Sequence, residues 1–292
     1  MKYLMFGSLN IDKVYTVPHF VSEGETLSSI DYTEYAGGKG LNQSIALAMT
    51  GVKVFHAGKI GKDGYFLKIY LKAAGINVDN VYDDASITGH AMIQVTNAGE
   101  NCILLYGGAN KEITVEQVDQ VLAEFNSDDI LVLQNEINCL EYIINIAHAK
   151  GLTIALNPSP INDVMKTLDY SKVDYLFLNE IEGQELTKQQ NSKSILETLL
   201  FKYPNLKILL TLGAKGSIYK DCNQEFAQEI YKVDVVDTTA AGDTFMGYFL
   251  GVVFKTNDIP YALKIASKAA SITVSRKGAS QSIPKIEEVL DM

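Results

Sequence analysis

The stretch from Val236 to Phe245, which reads Val-Asp-Thr-Thr-Ala-Ala-Gly-Asp-Thr-Phe, limits the possible folds of this 292-residue chain more than any other segment. Residues 230–236 before it alternate and are rich in β-branched side chains, which predicts a strand. Apolar residues recur at helical spacing from Phe245 to Val253, which predicts a helix. The segment is therefore expected to be a sharp strand-turn-helix connection.

Small residues occupy this turn, and Gly242 is expected to let the backbone turn and approach a ligand. The N–H groups of Ala241, Gly242 and Asp243 would be unpaired at a helix N-terminus, which favours an anion. Asp243 is itself negative, so it would repel that anion unless its task is to take a proton from a hydroxyl that attacks a phosphoryl group. The alternative is that Asp243 only caps the helix.

A second glycine-rich segment, Ala36 to Gln43, is predicted to open a helix. It is not a Walker A loop, because Gly40 rather than Ser or Thr follows Lys39 and no glycine stands at the required earlier position. Asn42 lies where it could contact a neutral hydroxylated ligand. The alternative is an ordinary glycine-rich helix entry with Lys39 in solvent.

Strand and helix patterns alternate through most of the chain, which predicts an open, mostly parallel α/β sheet with helices on both faces. Residues 12–35 and 88–107 interrupt this order with short strands. The second of these regions is a predicted hairpin around Asn97-Ala98-Gly99. We expect a single domain over residues 1–292, with these two regions forming a small projecting β-sheet.

Polar side chains follow several predicted strands, at the edge where open α/β sheets bind ligands. Each of these loops taken alone is a common structural connection. Together they are expected to line one rim of one sheet, which chance produces less often. The residues are Asn10, Asp12, Asn42, Glu136, Asn179, Glu182 and Asp243.

Composition narrows the class of protein. A net charge of −10 argues against nucleic-acid and membrane-surface partners, which need a basic face. The three cysteines have no metal-type or paired spacing, and the N-terminus begins with a strand pattern rather than a signal peptide. No apolar run is long enough to span a bilayer. We therefore expect a soluble cytoplasmic protein.

The motifs together resemble those of the ribokinase-like (PfkB) family of carbohydrate kinases, nearly from end to end. The matching segments are 7–12, 24–27, 37–43, 88–93, 156–158, 178–180, 211–216, 237–245, 276–279 and 282–284. Segments 37–43 and 237–245 are highly specific, whereas the shorter ones are weak singly. The sequence departs from the family pattern at His90 in the small sheet, and at Ser267 and Thr273.

The resemblance implies ATP-dependent phosphorylation of a sugar's primary hydroxyl, with Mg²⁺ accompanying ATP. Asp243 would be the general base, and the backbone of Ala240, Ala241, Gly242 and Asp243 would form an anion hole. The small sheet would cover the sugar as a lid and pair two subunits into a homodimer.

The resemblance also implies three groups of binding residues. The sugar would be held by Asn10, Asp12, Gly38, Lys39, Gly40, Asn42 and Glu136. ATP would be bound by Asn179, Thr211, Leu212, Gly213, Ala214, Lys215, Gly216, Gly242 and Ser267, with Glu182 holding Mg²⁺ through water. An activating K⁺ ion would lie among Asp237, Thr239, Thr273, Arg276, Gly278 and Ser282, mostly against backbone carbonyls.

Within this family, Gly38-Lys39-Gly40 together with Glu136 favours ribose as the sugar, phosphorylated at its 5-hydroxyl. A sister kinase acting on deoxyribose, a nucleoside or a hexose is the nearest alternative. A sugar-binding protein that has lost catalysis is less favoured, because Asp243 and its neighbours are intact.

Overall fold

The computed structural model describes residues 1–292. Nine strands form one large sheet. In spatial order they are β13 (Glu225–Gln228), β12 (Ser217–Lys220), β11 (Lys207–Thr211), β10 (Tyr175–Asn179), β9 (Thr153–Asn157), β8 (Ile130–Gln134), β1 (Tyr3–Phe6), β4 (Val54–Gly61) and β5 (Asn77–Ala85). All neighbouring pairs are parallel except those made by the edge strands β12 and β13. This is the predicted mostly parallel sheet.

Ten α-helices accompany the two sheets. They are α1 (Lys39–Met49), α2 (Tyr65–Ala73), α3 (Val115–Ala123), α4 (Leu140–Ala149), α5 (Asp163–Thr167), α6 (Glu180–Thr187), α7 (Ser192–Lys202), α8 (Ala241–Thr256), α9 (Ile259–Val274) and α10 (Ile286–Asp291). None of them is both long and apolar enough to cross a membrane.

Strand β1 explains why helices cover both faces of the large sheet. Its side chains alternate across the sheet, so Tyr3 and Met5 join one buried cluster while Leu4 and Phe6 join another. The first cluster packs beneath α1, α2, α8 and α9, and the second beneath α3, α4 and α7. A strand buried on both faces needs a continuous apolar run, and β1 has one.

Four strands form a separate small sheet, in the order β3 (Asp31–Gly37), β2 (Asn10–Val17), β6 (Gly89–Thr96) and β7 (Asn101–Tyr106). The predicted hairpin is confirmed as β6 and β7. Asn10 and Asp12 were expected in a loop, but they are the first residues of β2, because that strand pairs with both β3 and β6 from Asn10 onward.

The strand predicted over 230–236 is wrong. Val235 and Val236 are 65% and 60% exposed, and no strand lies beside them. The N–H groups of Val236 and Asp237 instead both donate to the carbonyl of Val274 on α9. The last strand of the sheet, β13, ends at Gln228, and the alternating segment that follows lies outside the sheet.

Candidate active site

The turn before α8 exposes backbone donors. Ala240 precedes the helix and adopts a left-handed conformation with φ of 60°, a strained geometry for a residue with a side chain. The turn was expected at Gly242, but the positive φ lies two residues earlier. The N–H groups of Gly242 and Asp243 have no acceptor within the chain, and that of Ala241 makes one long bond of 3.4 Å to Thr238. The predicted anion-binding donors are therefore available.

Asp243 is the third residue of α8 and does not cap it. Its Oδ1 accepts a 2.8 Å hydrogen bond from Nε2 of Gln43, and its Oδ2 accepts one of 3.2 Å from Nδ2 of Asn42. The side chain is 8% exposed. A capping carboxylate would instead accept from its own helix, so the alternative of a simple cap does not describe this residue.

The start of α1 meets the loop that follows β1. Gly38 has φ of 94°, and a side chain at Gly40 would collide with the backbone of Ser8. The N–H of Gly40 donates to Oγ of Ser8 at 3.1 Å, and that hydroxyl donates to Oε2 of Glu136. Glu136 also accepts from the N–H of Lys39 at 3.0 Å. The glycines thus permit a close approach that brings Glu136 to the helix entry.

Lys39 lies beside Asp243 rather than in solvent. The negative charge of Asp243 raises the pKa of the Lys39 ammonium, against the opposing effect of burial, and Glu136 and Glu182 add to the rise. Lys39 therefore remains a cation at neutral pH. A cation here, next to free backbone donors, favours a negatively charged ligand.

Asp12 and Asn10 stand at the base of the small sheet. Burial, and then the charge of Glu136, raise the pKa of Asp12 to about 7. The carboxylate of Asp12 fills the space beside Gly37, where a Cβ would collide with it. Oδ1 of Asn10 accepts from Nδ2 of Asn110 at 2.7 Å. Two carboxylates so close suit a ligand that donates hydroxyl protons and carries no negative charge nearby.

On the opposite side of α8, Asn179 and Glu182 close the N-terminus of α6 as a capping box. Each accepts from the backbone N–H of the other at 2.9 Å. The loop after β11 turns through Gly213 and Gly216, both with positive φ. Ser267, expected near the nucleotide, donates its hydroxyl to the carbonyl of Glu229 at 3.0 Å. Its role in nucleotide binding stays a prediction.

A cleft of about 220 Å³ lies between the turn before α8 and the N-terminus of α6. The predicted residues that line it are Lys39, Asn179, Glu182, Thr211, Ala240, Ala241, Gly242 and Asp243. The cleft is also lined by Asn157, Phe177, Leu178, Thr238 and Phe245. The loop from Leu212 to Gly216 and the sugar residues Asn10, Asp12, Gly38, Gly40, Asn42 and Glu136 are not among its lining residues.

No three His, Cys, Asp or Glu side chains cluster closely enough to hold a metal ion. The residues that line the cleft therefore do not fit a metal held by protein ligands alone. They fit Mg²⁺, which keeps several waters and binds through one carboxylate together with substrate phosphates. Glu182 is the carboxylate in the cleft that could serve in this way.

The residues expected to hold K⁺ include Asp237 and Thr239, which directly precede the turn before α8. Oδ1 of Asp237 accepts from the N–H and hydroxyl of Thr239, and its Oδ2 accepts from the N–H of Gly278 at 3.0 Å. Burial opposes ionisation of Asp237, but these bonds and the charge of Lys277 hold its pKa below the ordinary value. The carbonyls of Asp237, Thr239 and Gly278 accept no hydrogen bond from the chain. Free carbonyls next to a carboxylate are the ligands that K⁺ would use.

The side chains of three other predicted cation residues make contacts within the chain. The hydroxyls of Thr273 and Ser282 are engaged with Thr244 and the carbonyl of Ala279, and Arg276 pairs with Glu288. Their expected contribution through carbonyls stays a prediction.

Four residues that hydrogen-bond to predicted site residues, or to one another, were not singled out from the sequence: Ser8, Gln43, Asn110 and Gln134. Ser8 and Gln43 stand inside quoted motifs, so they could have been singled out as polar residues between glycines and a helix. Nothing in the spacing of Asn110 or Gln134 connects them to the site.

Known proteins resemble this chain over nearly its whole length. The pfkB family of carbohydrate kinases matches residues 2–286. The chain is 37% identical to a ribokinase of Staphylococcus aureus over 99% of this chain and 98% of that protein. It is 30% identical to a deoxyribokinase of Salmonella typhi, over 99% and 97% respectively. The structure of Arabidopsis thaliana ribokinase complexed with ribose and ATP is similar, with a TM-score of 0.86 and 27% identity over 99% and 97% of the two chains.

Proposed function

The chain belongs to the pfkB family of carbohydrate kinases, and from this membership we propose that it transfers the γ-phosphoryl group of ATP to the 5-hydroxyl of D-ribose. The observation that carries the proposal is the pairing of a buried carboxylate, Asp243, with the free N–H groups of Gly242 and Asp243 in one cleft. That pairing provides a proton acceptor and an anion hole on the same helix end.

In the proposed reaction, Asp243 takes the proton of the 5-hydroxyl as its oxygen bonds to the γ-phosphorus. The bond from that phosphorus to the bridging oxygen of ADP breaks, and ADP leaves. The N–H groups of Gly242 and Asp243 stabilise the charge on the transferring group, as does the ammonium of Lys39. Mg²⁺, when bound, would neutralise part of the phosphate charge, and Glu182 would hold the ion through water.

The sugar lies between the entry of α1 and the base of the small sheet in this proposal. Asp12 and Glu136 accept hydrogen bonds from sugar hydroxyls, and the unpaired amide oxygen of Asn42 accepts another. These acceptors favour an unphosphorylated sugar, because carboxylates repel a phosphate.

Deoxyribose is the second candidate, supported by the similarity to the Salmonella typhi protein. We favour ribose because the pocket carries one buried acceptor, Asn42, and two half-buried ones, Asp12 and Glu136, and each acceptor left without a hydroxyl costs free energy.

We further propose that residues 1–292 act as one kinase domain, in which the small sheet, roughly residues 12–35 and 88–107, is a lid over the sugar and the surface on which two copies pair. The outer face of this sheet carries an apolar hollow of about 300 Å³, lined by Tyr15, Val17, Val21, Leu27, Ser29, Met92, Gln94, Cys102 and Leu104.

A cytoplasmic location is also proposed, consistent with three free cysteines.

The experiment that tests the proposed function is a sugar panel with MgATP, assayed for ADP release. Ribose should give the highest kcat/KM, ahead of 2-deoxyribose, ribonucleosides and hexoses. ADP release with a nucleoside or a hexose and none with ribose would contradict the proposal.

A further inference from the structure

Two buried glutamines connect the large sheet to the carboxylate of Asp243. Nε2 of Gln134, at the end of β8, donates to Oε1 of Gln43 on α1 at 2.7 Å. Nε2 of Gln43 then donates to Oδ1 of Asp243 at 2.8 Å. Gln134 is 0% exposed and Gln43 is 1% exposed, so water has little access to either bond. We call these three residues the amide chain.

The amide chain has only one workable direction. An ionised carboxylate accepts hydrogen bonds and donates none, so Gln43 must turn its amide nitrogen toward Asp243. Its amide oxygen then faces Gln134, which must also present nitrogen. As a result, Oε1 of Gln134 is buried with no partner.

The unpaired oxygen of Gln134 shows which member of the amide chain sets the direction of its hydrogen bonds. Turning both amides over would give that oxygen a donor, Nε2 of Gln43. It would also aim the oxygen of Gln43 at Oδ1 of Asp243. A buried unpaired acceptor costs free energy, yet Oε1 of Gln134 stays unpaired in the structure. The carboxylate of Asp243 therefore dictates the orientation of both glutamines.

Asn42 and Gln43 supply different kinds of support to the carboxylate. Asn42 donates to Oδ2 through its amide nitrogen, while its amide oxygen belongs to the proposed sugar pocket, so the position of this side chain depends on the bound sugar. Gln43 is buried on α1 and does not line the cleft. Its bond to Oδ1 is thus the one that persists when substrates bind.

We propose that Gln43 and Gln134 are positioning residues that hold the Asp243 carboxylate in its reactive orientation, with Gln134 acting only through Gln43. This inference rests on the proposed role of Asp243 as general base. Neither glutamine touches a substrate. Fixing the carboxylate in advance removes a rotation that would otherwise accompany proton transfer.

The remaining ionisable groups near the amide chain are few. Lys39 on α1 faces Asp243, and Glu136 and Glu182 lie near that lysine. His56 on β4 hydrogen-bonds to Ser44 behind α1, and burial lowers its pKa to about 3, so it is neutral. Substituting either glutamine leaves all of these groups in place.

The test uses Gln43→Met and Gln134→Met, which keep the side-chain size and remove the amide. Steady-state kinetics with saturating ribose and MgATP are measured across pH. A hydrogen bond to a charged group is lost, so we expect kcat to fall by about tenfold in Gln43→Met. The acidic limb of kcat should move to higher pH in Gln43→Met, because a carboxylate with fewer donors is more easily protonated. It should move in the same direction but by less in Gln134→Met, because Gln43 then lacks the partner that holds its amide nitrogen toward Asp243. KM for ribose and ATP should change less than kcat.

The double variant Gln43→Met/Gln134→Met shows whether the two glutamines act in series or whether each substitution only disturbs its own packing. If Gln134 acts only through Gln43, the double variant should be no slower than Gln43→Met alone. Gln117→Met is the matched control, since Gln117 is another buried glutamine and caps α3 away from the site. It should lower thermal stability and leave kcat unchanged.

Two outcomes would overturn the inference. One is a Gln134→Met enzyme with wild-type kcat and acidic limb; the other is additive losses in the double variant with an unmoved limb. If Gln43→Met does not fold, the pH profile of Gln134→Met decides alone. Asp243→Asn is measured in parallel: an active Asp243→Asn enzyme would defeat the proposed base, whereas an inactive one beside an unaffected Gln134→Met would defeat only the amide chain.

Discussion

The amide nitrogen of Asn42 lies 3.2 Å from Oδ2 of Asp243, while the amide oxygen of the same side chain is buried with no partner. One side chain therefore touches the proposed base with one atom and offers a buried acceptor with the other. A buried acceptor without a donor is costly, and a sugar hydroxyl would satisfy it. Asn42 thereby links sugar binding to the position of the base.

The first prediction concerns Asp243 itself. Asp243→Asn keeps the size and polarity of the side chain but cannot accept a proton from the sugar. We expect kcat to fall by about 10²-fold or more, which is the range for loss of a general base. Binding of ribose and ATP, measured by calorimetry, should change little. Turnover within a few-fold of the wild type would show that Asp243 is not the base.

The second prediction concerns the choice of sugar. 2-Deoxyribose lacks one hydroxyl, so it leaves at least one acceptor among Asp12, Asn42 and Glu136 unpaired. We expect kcat/KM for ribose to exceed that for 2-deoxyribose by about tenfold or more. The two sugars are compared in the same ADP-release assay. Equal values would point to the sister activity on deoxyribose.

The third prediction follows from the pKa of Asp12, which burial and the charge of Glu136 raise to about 7. The ionised carboxylate is the form that accepts from sugar hydroxyls. We therefore expect kcat/KM for ribose to rise with pH through about 7, and Asp12→Asn to flatten that rise. The pH dependence of kcat/KM for ATP at saturating ribose serves as the control, and it should be the same in both enzymes.

The same shift affects stability. A carboxyl whose folded pKa is raised disfavours the folded state at a pH above about 7, and this cost disappears as the pH falls toward its unfolded value. Asp12→Asn should therefore raise Tm at about pH 8 and have little effect near pH 4. Equal Tm values for the two proteins at the higher pH would contradict the raised pKa.

Features of the fold that depend on a local sequence pattern could be predicted. The continuous apolar run of β1 predicts a strand covered on both faces, and its side chains do divide between two cores. The alternation of strands and helices after residue 130 likewise predicted the parallel sheet. The strand predicted at 230–236 is wrong because an alternating pattern forms a strand only where a neighbouring strand pairs with it, and the end of this segment hydrogen-bonds to α9 instead.

The site was only partly accessible to the same reasoning. Residues at strand ends, such as Glu136 and Asn179, could be singled out because parallel strands bring their carboxyl ends to one edge. Gln134 could not, because its importance depends on a hydrogen bond to Gln43, 91 positions away. Likewise, the left-handed turn at Ala240 has no signal, since alanine does not favour that conformation.

The fourth prediction concerns the lid as a dimer surface. Leu104 and Met92 pair across β7 and β6, on the face opposite Asp12, and are 68% and 43% exposed. Leu104→Glu would bury a charge in the proposed interface, so the mass measured by light scattering should fall from dimer to monomer. Phe201→Glu, at an exposed position on α7 outside the small sheet, is the control and should leave the mass unchanged. A Leu104→Glu protein with the wild-type dimer mass would exclude this face.

The last prediction is that K⁺ activates the enzyme. The ion would be held by the carbonyls of Asp237, Thr239 and Gly278, which accept no hydrogen bond from the chain, and by the negative charge of Asp237. These groups flank the turn at Ala240, so a bound ion would hold the N–H groups of Gly242 and Asp243 in their orientation without touching a substrate.

The measurement compares activity in KCl with activity in choline chloride at equal ionic strength, in buffer free of sodium and potassium. We expect a higher kcat in KCl. Asp237→Asn should weaken this activation, because the amide lacks the charge that attracts the ion and cannot accept the same set of hydrogen bonds. The control is Lys277→Met, which removes the neighbouring exposed cation and leaves the carbonyls in place, so its response to KCl should be retained. Identical rates in the two salts would remove the cation from the mechanism and leave the roles of Asp243 and the anion hole unchanged.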